Sequence, residues 1–296
     1  MRPGTAAPSL SPNSIHARVA AARERLREAD LSPQEAEAGA RLLAQHVLGW
    51  DAARYLTDGD RPEPDGFAAG FDALVTRRAA REPVAYITGR QEFWNLDFEV
   101  SPAVLIPRPS TELIVEAAIE LVGDRGAPID IADAFTGCGC VAVVLAKEFT
   151  SARVVATDIS ELALEVAKRN VERHRVASRV RLTRTDVLED ERGPFDLIAA
   201  NPPYVRAGDR PGLQPEVREH EPEVALYGGA DGVDLVARVV SQAASRLRMG
   251  GHLIFEFGFG QDMTVEQLIA DAPGLTMIGL RRDLQGIART AIARRE

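Results

Sequence analysis

Cysteine is almost absent from this chain, and its scarcity limits the chemistry available. The 296 residues include two cysteines, Cys138 and Cys140, one residue apart. That spacing is too short for an ordinary cross-linking disulfide, and no other cysteine could pair with either, so we expect a reducing, cytoplasmic environment. A structural zinc site needs further cysteine or histidine ligands at set spacings, and these are missing. The sequence therefore predicts no metal centre.

Long apolar runs and a dense basic stripe are also lacking. No stretch approaches the roughly 20 apolar residues of a membrane-spanning helix, so we expect no membrane contact. Residues 1–13 are rich in proline, serine and alanine without a secretion-signal core, and we expect a disordered tail there. The formal net charge of −9 disfavours direct, specific nucleic-acid binding. A local basic groove is still compatible with this composition.

What the chain does contain is enough apolar sequence, 45% of its residues, to bury a core in two domains. Helical periodicity runs through residues 14–82, with apolar patterns over 19–26, 36–47 and 67–75. The second pattern begins at the capping box Ser32-Pro33-Gln34-Glu35. We predict a small helical bundle, which by itself indicates only a packing or recognition module.

Residues 83–109 have a different character. Tyr86-Ile87-Thr88 and residues 93–100 are β-type runs, so we predict a β-hairpin linker. The prolines at the end of this segment lead into a helix predicted from about Thr111 to Val122. Glu112 lies in its first turn, where a carboxylate suits the helix dipole.

From residue 129 onward strands and helices alternate, which predicts an α/β, Rossmann-like fold for the domain of residues 110–296. The predicted strands cover residues 129–134, 153–158, 180–183, 195–200, 252–257, 276–280 and 287–293. The predicted helices cover residues 141–149, 161–174, 233–247 and 264–270. Asp283-Leu284-Gln285-Gly286 is too short for a helical crossover, so the last two strands should be antiparallel. The prediction is a seven-stranded mixed sheet.

The first strand of this sheet ends in a pattern typical of a cofactor site. It runs into Asp133-Ala134-Phe135-Thr136-Gly137-Cys138-Gly139-Cys140, where glycines allow close backbone approach and the following helix offers free N–H groups. Asp158 ends the second strand, where an acidic residue binds ribose hydroxyls, and Asp186-Val187 follow the third, near the expected adenine. Because Ala142 is tolerated as the last residue of a dinucleotide motif, these residues alone leave a nicotinamide cofactor open.

The tetrapeptide Asn201-Pro202-Pro203-Tyr204 argues against a nicotinamide cofactor. The tetrapeptide follows the buried run of residues 195–200, so it stands at the carboxyl edge of the sheet, where ligands bind. Two prolines cannot continue a strand, so the chain must turn rigidly there. Hydride transfer does not call for such a motif, although an ordinary turn after a strand can also begin with Asn-Pro.

Together these motifs resemble the S-adenosylmethionine-dependent methyltransferases, and more narrowly the HemK-type release-factor glutamine N5-methyltransferases. The resemblance runs from Ser14 to the C-terminus. It rests on the tetrapeptide and on the following segments: Val84-Ala85-Tyr86-Ile87-Thr88-Gly89, Phe93-Trp94, Leu105-Ile106-Pro107-Arg108-Pro109-Ser110-Thr111-Glu112, Glu221-Pro222, Ala225-Leu226, Gly228-Gly229 and Asp283-Leu284-Gln285-Gly286-Ile287-Ala288-Arg289. The sequence departs from the family at Phe135, usually glycine, and at Ser110, usually acidic, where we expect serine to cap the helix.

The resemblance implies an enzyme that methylates a glutamine of a peptide chain release factor. It implies cofactor contacts from Asp133, Phe135, Thr136, Gly137, Cys138, Gly139, Asp158, Asp186, Val187 and Asn201, and catalytic roles for Asn201, Pro202, Pro203 and Tyr204. The Asn201 oxygen and the Pro202 carbonyl would accept the two N–H groups of the glutamine amide, and Tyr204 would stack on it. The helical domain would dock the protein substrate, and the enzyme is expected to be a monomer.

Three other functions remain open from the sequence. A ribosomal-protein glutamine methyltransferase would use the same residues, and an adenine-N6 DNA methyltransferase shares the tetrapeptide. The departure at Phe135 leaves open a cofactor-binding protein without turnover. Residues 205–227 are equally consistent with a substrate-binding lid and with a solvated insertion.

Overall fold

The computed structural model describes residues 13–296, which form two compact units divided after Gly89. The predicted tail, residues 1–13, lies outside the described residues except for Asn13. No helix formed by the described residues is long and apolar enough to cross a membrane.

The first unit is helical, as the sequence predicts. Its helices are α1 (Ile15–Glu28), α2 (Pro33–Leu48), α3 (Ala52–Asp58), α4 (Phe67–Ala79) and α5 (Val84–Thr88). The predicted capping box is present: the Glu35 N–H donates to Ser32 Oγ at 3.2 Å and the Ser32 N–H donates to Glu35 Oε2 at 3.0 Å. Fully buried side chains such as Leu26, Leu43 and Phe71 form the core of the bundle. Burial of these apolar faces is what stabilises short helices in water.

One local prediction in this unit is wrong, and one helix was missed. Tyr86-Ile87-Thr88, predicted as a β-type run, belongs to helix α5. Pro83 fixes the start of that helix, and its carbonyl accepts hydrogen bonds from the N–H groups of Tyr86 and Ile87. Helix α3 was not predicted; Asp51 begins it by accepting the Arg54 N–H at 2.7 Å.

The second unit begins with a β-hairpin inside residues 83–109, as predicted, but its strands are not the predicted runs 86–88 and 93–100. Strands β1 (Arg90–Phe93) and β2 (Leu96–Glu99) pair antiparallel. Trp94 and Asn95 form the two-residue turn, each with φ above +50°, which is the conformation that matches strand twist in tight hairpins. The Trp94 N–H and indole N–H donate to Glu112 and Glu148, each at 2.7 Å, so the turn is tied to the body of this unit.

Among the described residues, seven strands form one sheet, confirming the predicted α/β architecture. They are β3 (Asp130–Ala134), β4 (Arg153–Asp158), β5 (Val180–Arg184), β6 (Phe195–Ala200), β7 (Leu247–Glu256), β8 (Leu275–Arg282) and β9 (Ala288–Arg295). Their order is β5-β4-β3-β6-β7-β9-β8. Strands β3 to β7 run parallel, while β9 is antiparallel to both β7 and β8. The predicted antiparallel last pair is therefore confirmed.

The remaining helices are α6 (Glu112–Val122), α7 (Cys140–Glu148), α8 (Glu161–Arg173), α9 (Pro215–His220), α10 (Asp234–Arg246) and α11 (Asp262–Asp271). The sheet core includes Ala132, Ile198, Leu253 and Phe255, all fully buried. Ala134 pairs with Ala200 and Ala200 with Phe255. The carboxyl ends of β3, β6 and β7 therefore meet at one edge, which brings three distant chain segments together.

Candidate active site

A cavity of about 250 Å³ opens at this carboxyl edge of the sheet. Nine of the predicted site residues line it: Asp133, Phe135, Thr136, Gly137, Cys138, Asp158, Asp186, Asn201 and Pro203. Gly139, Val187, Pro202 and Tyr204 are not part of its lining. The two motifs that lie more than 60 positions apart in the sequence thus face one space.

Asp133 organises the turn between β3 and α7. Its Oδ2 accepts the Thr136 hydroxyl at 2.6 Å and the Ala142 N–H at 3.0 Å. The carboxyl is 1% exposed, and burial, opposed by these two hydrogen bonds, raises its pKa to about 7. Asp133 therefore closes the turn onto the first residues of the helix.

Left-handed backbone shapes the same turn. Phe135, Gly137 and Gly139 have φ of +60°, +54° and +82°. At Gly139 a Cβ would lie 3.2 Å from the Cβ of Ala167, so a side chain there would be crowded as well as conformationally strained. Phe135 adopts a conformation that costs a non-glycine residue about 1–2 kcal/mol. This explains why glycine suits the position occupied by Phe135.

Asp158 faces the turn from the end of β4. Its carboxylate accepts the N–H groups of Gly137 and Ser160, each at 2.9 Å. Burial is the main cause that raises its pKa, against hydrogen bonds that lower it. Asp158 is thus held by backbone donors at the rim of the cavity.

The cavity lining also contains an ion pair that the sequence did not reveal. Arg238, on α10, lies 2.8 Å from Asp186, and both side chains line the cavity. Val187 is 3% exposed with φ of +56°, and its carbonyl accepts the Thr157 hydroxyl at 2.6 Å. Val187 therefore contributes to the backbone of this turn rather than to the cavity wall.

A buried carboxylate, Glu256, connects the residues around the tetrapeptide. It accepts hydroxyl protons from Ser110 at 3.0 Å, from Thr111 at 2.7 Å and from Tyr204 at 3.0 Å. Thr111 in turn accepts the side-chain N–H of Asn201 at 3.2 Å. Glu256 is fully buried, and that burial raises its pKa, opposed by the three hydroxyl donors.

Tyr204 is fixed at both ends. Its hydroxyl donates to Glu256, and its carbonyl accepts from Gln261 Nε2 at 3.0 Å. Burial and the neighbouring carboxylate raise the pKa of its phenol, so the hydroxyl stays protonated at neutral pH. Pro202 and Pro203 are buried. The position of the Tyr204 ring is therefore fixed by hydrogen bonds and by the two buried prolines before it.

The predicted cap at Ser110 is wrong. Ser110 lies inside a short 3-10 turn, Pro109–Thr111, and no side chain caps either that turn or α6. Its hydroxyl bonds to Glu256 instead. Sequence reasoning also missed Thr111 and Glu256 as partners. A carboxylate inside the apolar run Leu253-Ile254-Phe255-Glu256-Phe257 is the signal that could have identified Glu256, because buried charges need partners.

Residues 205–227 form ordered structure beside the cavity. Two 3-10 turns, Ala207–Gly212 and Glu223–Ala225, flank α9. Glu221, 5% exposed, pairs with Arg108 and accepts the Ile106 N–H at 3.4 Å. Val224, Ala225 and Tyr227 line the cavity.

No cluster of histidine, cysteine, aspartate or glutamate within residues 13–296 could hold a metal ion. Cys138 and Cys140 are both free and buried. The polar groups of the site include backbone groups, carboxylates, hydroxyls, the Asn201 amide and the Arg238 guanidinium.

This fold and this edge site define a Rossmann-like methyltransferase, and comparison with known proteins gives the same class. Residues 111–214 match the methyltransferase small domain, and residues 19–89 match the PrmC N-terminal domain. A methyltransferase from Pyrococcus furiosus, 19% identical, superimposes with a TM-score of 0.50 over 75% of this chain and 96% of its own. At that identity the likeness shows a shared fold.

Relatives of higher identity narrow the class. The chain is 41% identical to a release factor glutamine methyltransferase from Bradyrhizobium diazoefficiens over 92% of its own length and 91% of the relative's. It is 45% identical to one from Geobacter sulfurreducens, over 75% and 77% of the two chains. The chain belongs to the family of release factor glutamine methyltransferases. The family predicted from the sequence motifs is thereby confirmed.

Proposed function

We propose that this protein transfers a methyl group from S-adenosylmethionine to the side-chain amide nitrogen of a glutamine in a peptide chain release factor. The observation that supports this most directly is the orientation of Asn201. Its amide nitrogen donates to Thr111 Oγ1 at 3.2 Å, which leaves its oxygen free for the cavity that Asn201 lines. An acceptor oxygen at that point suits a group that carries N–H.

The residues around the β3 and β4 turns fit the cofactor. The start of α7 supplies backbone N–H groups, and Asp158 supplies a carboxylate at the rim where ribose hydroxyls would bind. The Asp186–Arg238 pair offers polar groups in the cavity lining for the adenine. When bound, the cofactor supplies an electrophilic methyl group.

The tetrapeptide fits the acceptor amide. The Asn201 oxygen and the Pro202 carbonyl would each accept one N–H, which holds the nitrogen lone pair toward the methyl donor. Hydrogen bonding to both protons offsets the positive charge that develops on nitrogen. Tyr204, fixed by Glu256 and Gln261, would stack on the planar amide. The proton can leave after transfer, so no general base is required.

Residues 205–227 would act as a substrate-binding lid. The lining contributed by Val224, Ala225 and Tyr227 and the ion pair between the buried Glu221 and the partly exposed Arg108 support this role, because they hold the segment against the cavity. The helical unit would dock the release factor. We further propose a cytoplasmic monomer with no direct, specific nucleic-acid binding.

One labelling experiment tests the proposal. The protein is incubated with methyl-labelled S-adenosylmethionine and, in separate reactions, with a release factor, ribosomal protein and duplex DNA. Label on the release factor is the expected result. Label confined to ribosomal protein or to DNA would contradict it, as would no transfer despite measurable cofactor binding.

A further inference from the structure

The Asn201 side chain has two ends of nearly the same shape, and its use depends on which end faces the cavity. The oxygen end accepts hydrogen bonds, while the NH₂ end donates two. To hold the N–H groups of the substrate amide, Asn201 must present its oxygen end. In the structure the NH₂ end lies 3.2 Å from Thr111 Oγ1, so Thr111 must act as an acceptor toward Asn201.

Glu256 determines that Thr111 is an acceptor there. A threonine hydroxyl has one proton, and Thr111 donates it to Glu256 Oε2 at 2.7 Å. Burial raises the pKa of Glu256, but the hydroxyl donors of Ser110, Thr111 and Tyr204 favour its ionised form, and an ionised carboxylate can only accept. The other oxygen, Oε1, already receives the hydroxyl protons of Ser110 and Tyr204. Only lone pairs of Thr111 therefore remain for Asn201, and these select its NH₂ end.

We infer that Glu256 and Thr111 are positioning residues that keep the Asn201 oxygen directed at the nitrogen of the substrate amide that is methylated. Glu256 is fully buried and Thr111 is 2% exposed, so water does not compete for these hydrogen bonds. The inference rests on the proposed function, because it assigns the direction of hydrogen bonding within that site. Neither residue contacts the reacting atoms, and both act through Asn201.

The substitution Glu256→Gln should reverse this direction. Glutamine keeps both hydroxyl donors if its oxygen occupies the Oε1 position, which receives Ser110 and Tyr204. Its NH₂ then faces Thr111 and donates to it. The Thr111 hydroxyl then donates to Asn201, which must accept with its oxygen. The NH₂ end of Asn201 is left facing the N–H groups of the substrate amide, with which it cannot form hydrogen bonds. We therefore expect kcat to fall about 100-fold.

A second substitution should restore what the first removes. In the single variant Asn201→Asp the new carboxylate faces the lone pairs of Thr111, because Thr111 donates its proton to Glu256. This variant should therefore also lose activity. In the double variant E256Q/N201D the Thr111 proton meets that carboxylate, and its second oxygen is free to accept from the glutamine amide. The total charge equals that of the wild type. The double variant should therefore be more active than either single variant, a non-additive result.

The experiment measures kcat and KM for methyl transfer to the release factor, cofactor affinity and thermal unfolding for each variant. Thr111→Val should lower kcat about 10- to 100-fold while cofactor affinity is retained, and Thr111→Ser should recover most of the loss. Thr290→Val is the matched control. Thr290 is buried and pairs with Glu256 across β9 and β7, and its hydroxyl has no partner among the described residues. That variant should keep full activity.

The outcomes separate the inference from the proposed function. Recovery in the double variant supports the inference, whereas additive losses in E256Q, N201D and their combination overturn it. Full activity in Thr111→Val overturns it too, while release-factor methylation by the wild type leaves the proposed function intact. If E256Q does not fold, the contrast between Thr111→Val and Thr111→Ser decides alone. If the wild type modifies no glutamine, both proposals fail.

Discussion

The turn after β3 and the turn after β6 meet at one edge of the sheet but are built in different ways. The first is shaped by its own backbone, with Phe135, Gly137 and Gly139 in left-handed conformations and Asp133 closing it over nine residues. The second is held by side chains from far away, since Thr111 is 90 positions from Asn201 and Glu256 is 52 from Tyr204. The first turn is specified locally and the second by the tertiary fold.

The largest effect is expected in the second turn, from Asn201→Ala. Removing the amide removes the acceptor that orients the substrate nitrogen, so methyl transfer should fall at least about 100-fold. Cofactor affinity should change little, because most of the proposed cofactor contacts lie outside the second turn. Single-turnover transfer and equilibrium cofactor binding measure the two quantities. Equal losses in both would mean that the two turns do not divide the work in this way.

In the first turn the next effect comes from Asp133→Asn. The folded-state pKa of Asp133 is about 7 against a model-peptide value of 3.8, so the folded state binds its proton more tightly than the unfolded state. Its contribution to stability is therefore present at low pH and is lost as pH rises toward 7. Asparagine can keep both hydrogen bonds, because both reach the same oxygen, Oδ2.

Relative to the wild type, Asp133→Asn should thus gain stability between about pH 5 and about pH 8, by roughly 2–4 kcal/mol. Urea unfolding of both proteins at each pH gives their free energies of unfolding. The other titratable groups are common to both proteins, so their contributions cancel in the difference. An unchanged difference across that range would show that Asp133 stays ionised in the fold.

A smaller effect is expected from Gly139→Ala. The residue has φ of +82° and its new Cβ would press on Ala167, so we expect a loss of about 1–2 kcal/mol from the backbone conformation alone. Cofactor affinity should fall together with stability, because the turn would shift. Gly137→Ala is the comparison, since it has a positive φ with open space around the added carbon. If both variants lose equally, contact with α8 is not what requires glycine at 139.

The smallest effect is expected from Phe135→Gly. Glycine removes the strain of φ +60° but also removes a ring that packs against the sheet core. These terms are each about 1–3 kcal/mol and opposite in sign, so unfolding free energy should change by less than about 1 kcal/mol. A loss above about 3 kcal/mol would show that the backbone of this turn carries no strain.

The same contrast explains what could be predicted from the sequence. Strands β3 to β6 follow from apolar runs, and β6 has the predicted bounds, residues 195–200. The glycines and acidic residues of the first turn are local signals, and the structure brings most of them to one cavity. The Glu256 network was missed because Thr111 and Glu256 are 145 positions apart and no periodic pattern joins them. Residues 86–88 were misread because three residues cannot distinguish a strand from one helical turn.

The most direct test of the central claim is to locate the transferred methyl group. The release factor is incubated with the wild-type protein and S-adenosylmethionine, digested, and mapped by fragmentation mass spectrometry, with Asn201→Ala as the control. We predict one added methyl group on the side-chain nitrogen of a glutamine, absent with the variant. A methyl group on another residue type, or the same modification with Asn201→Ala, would contradict the account.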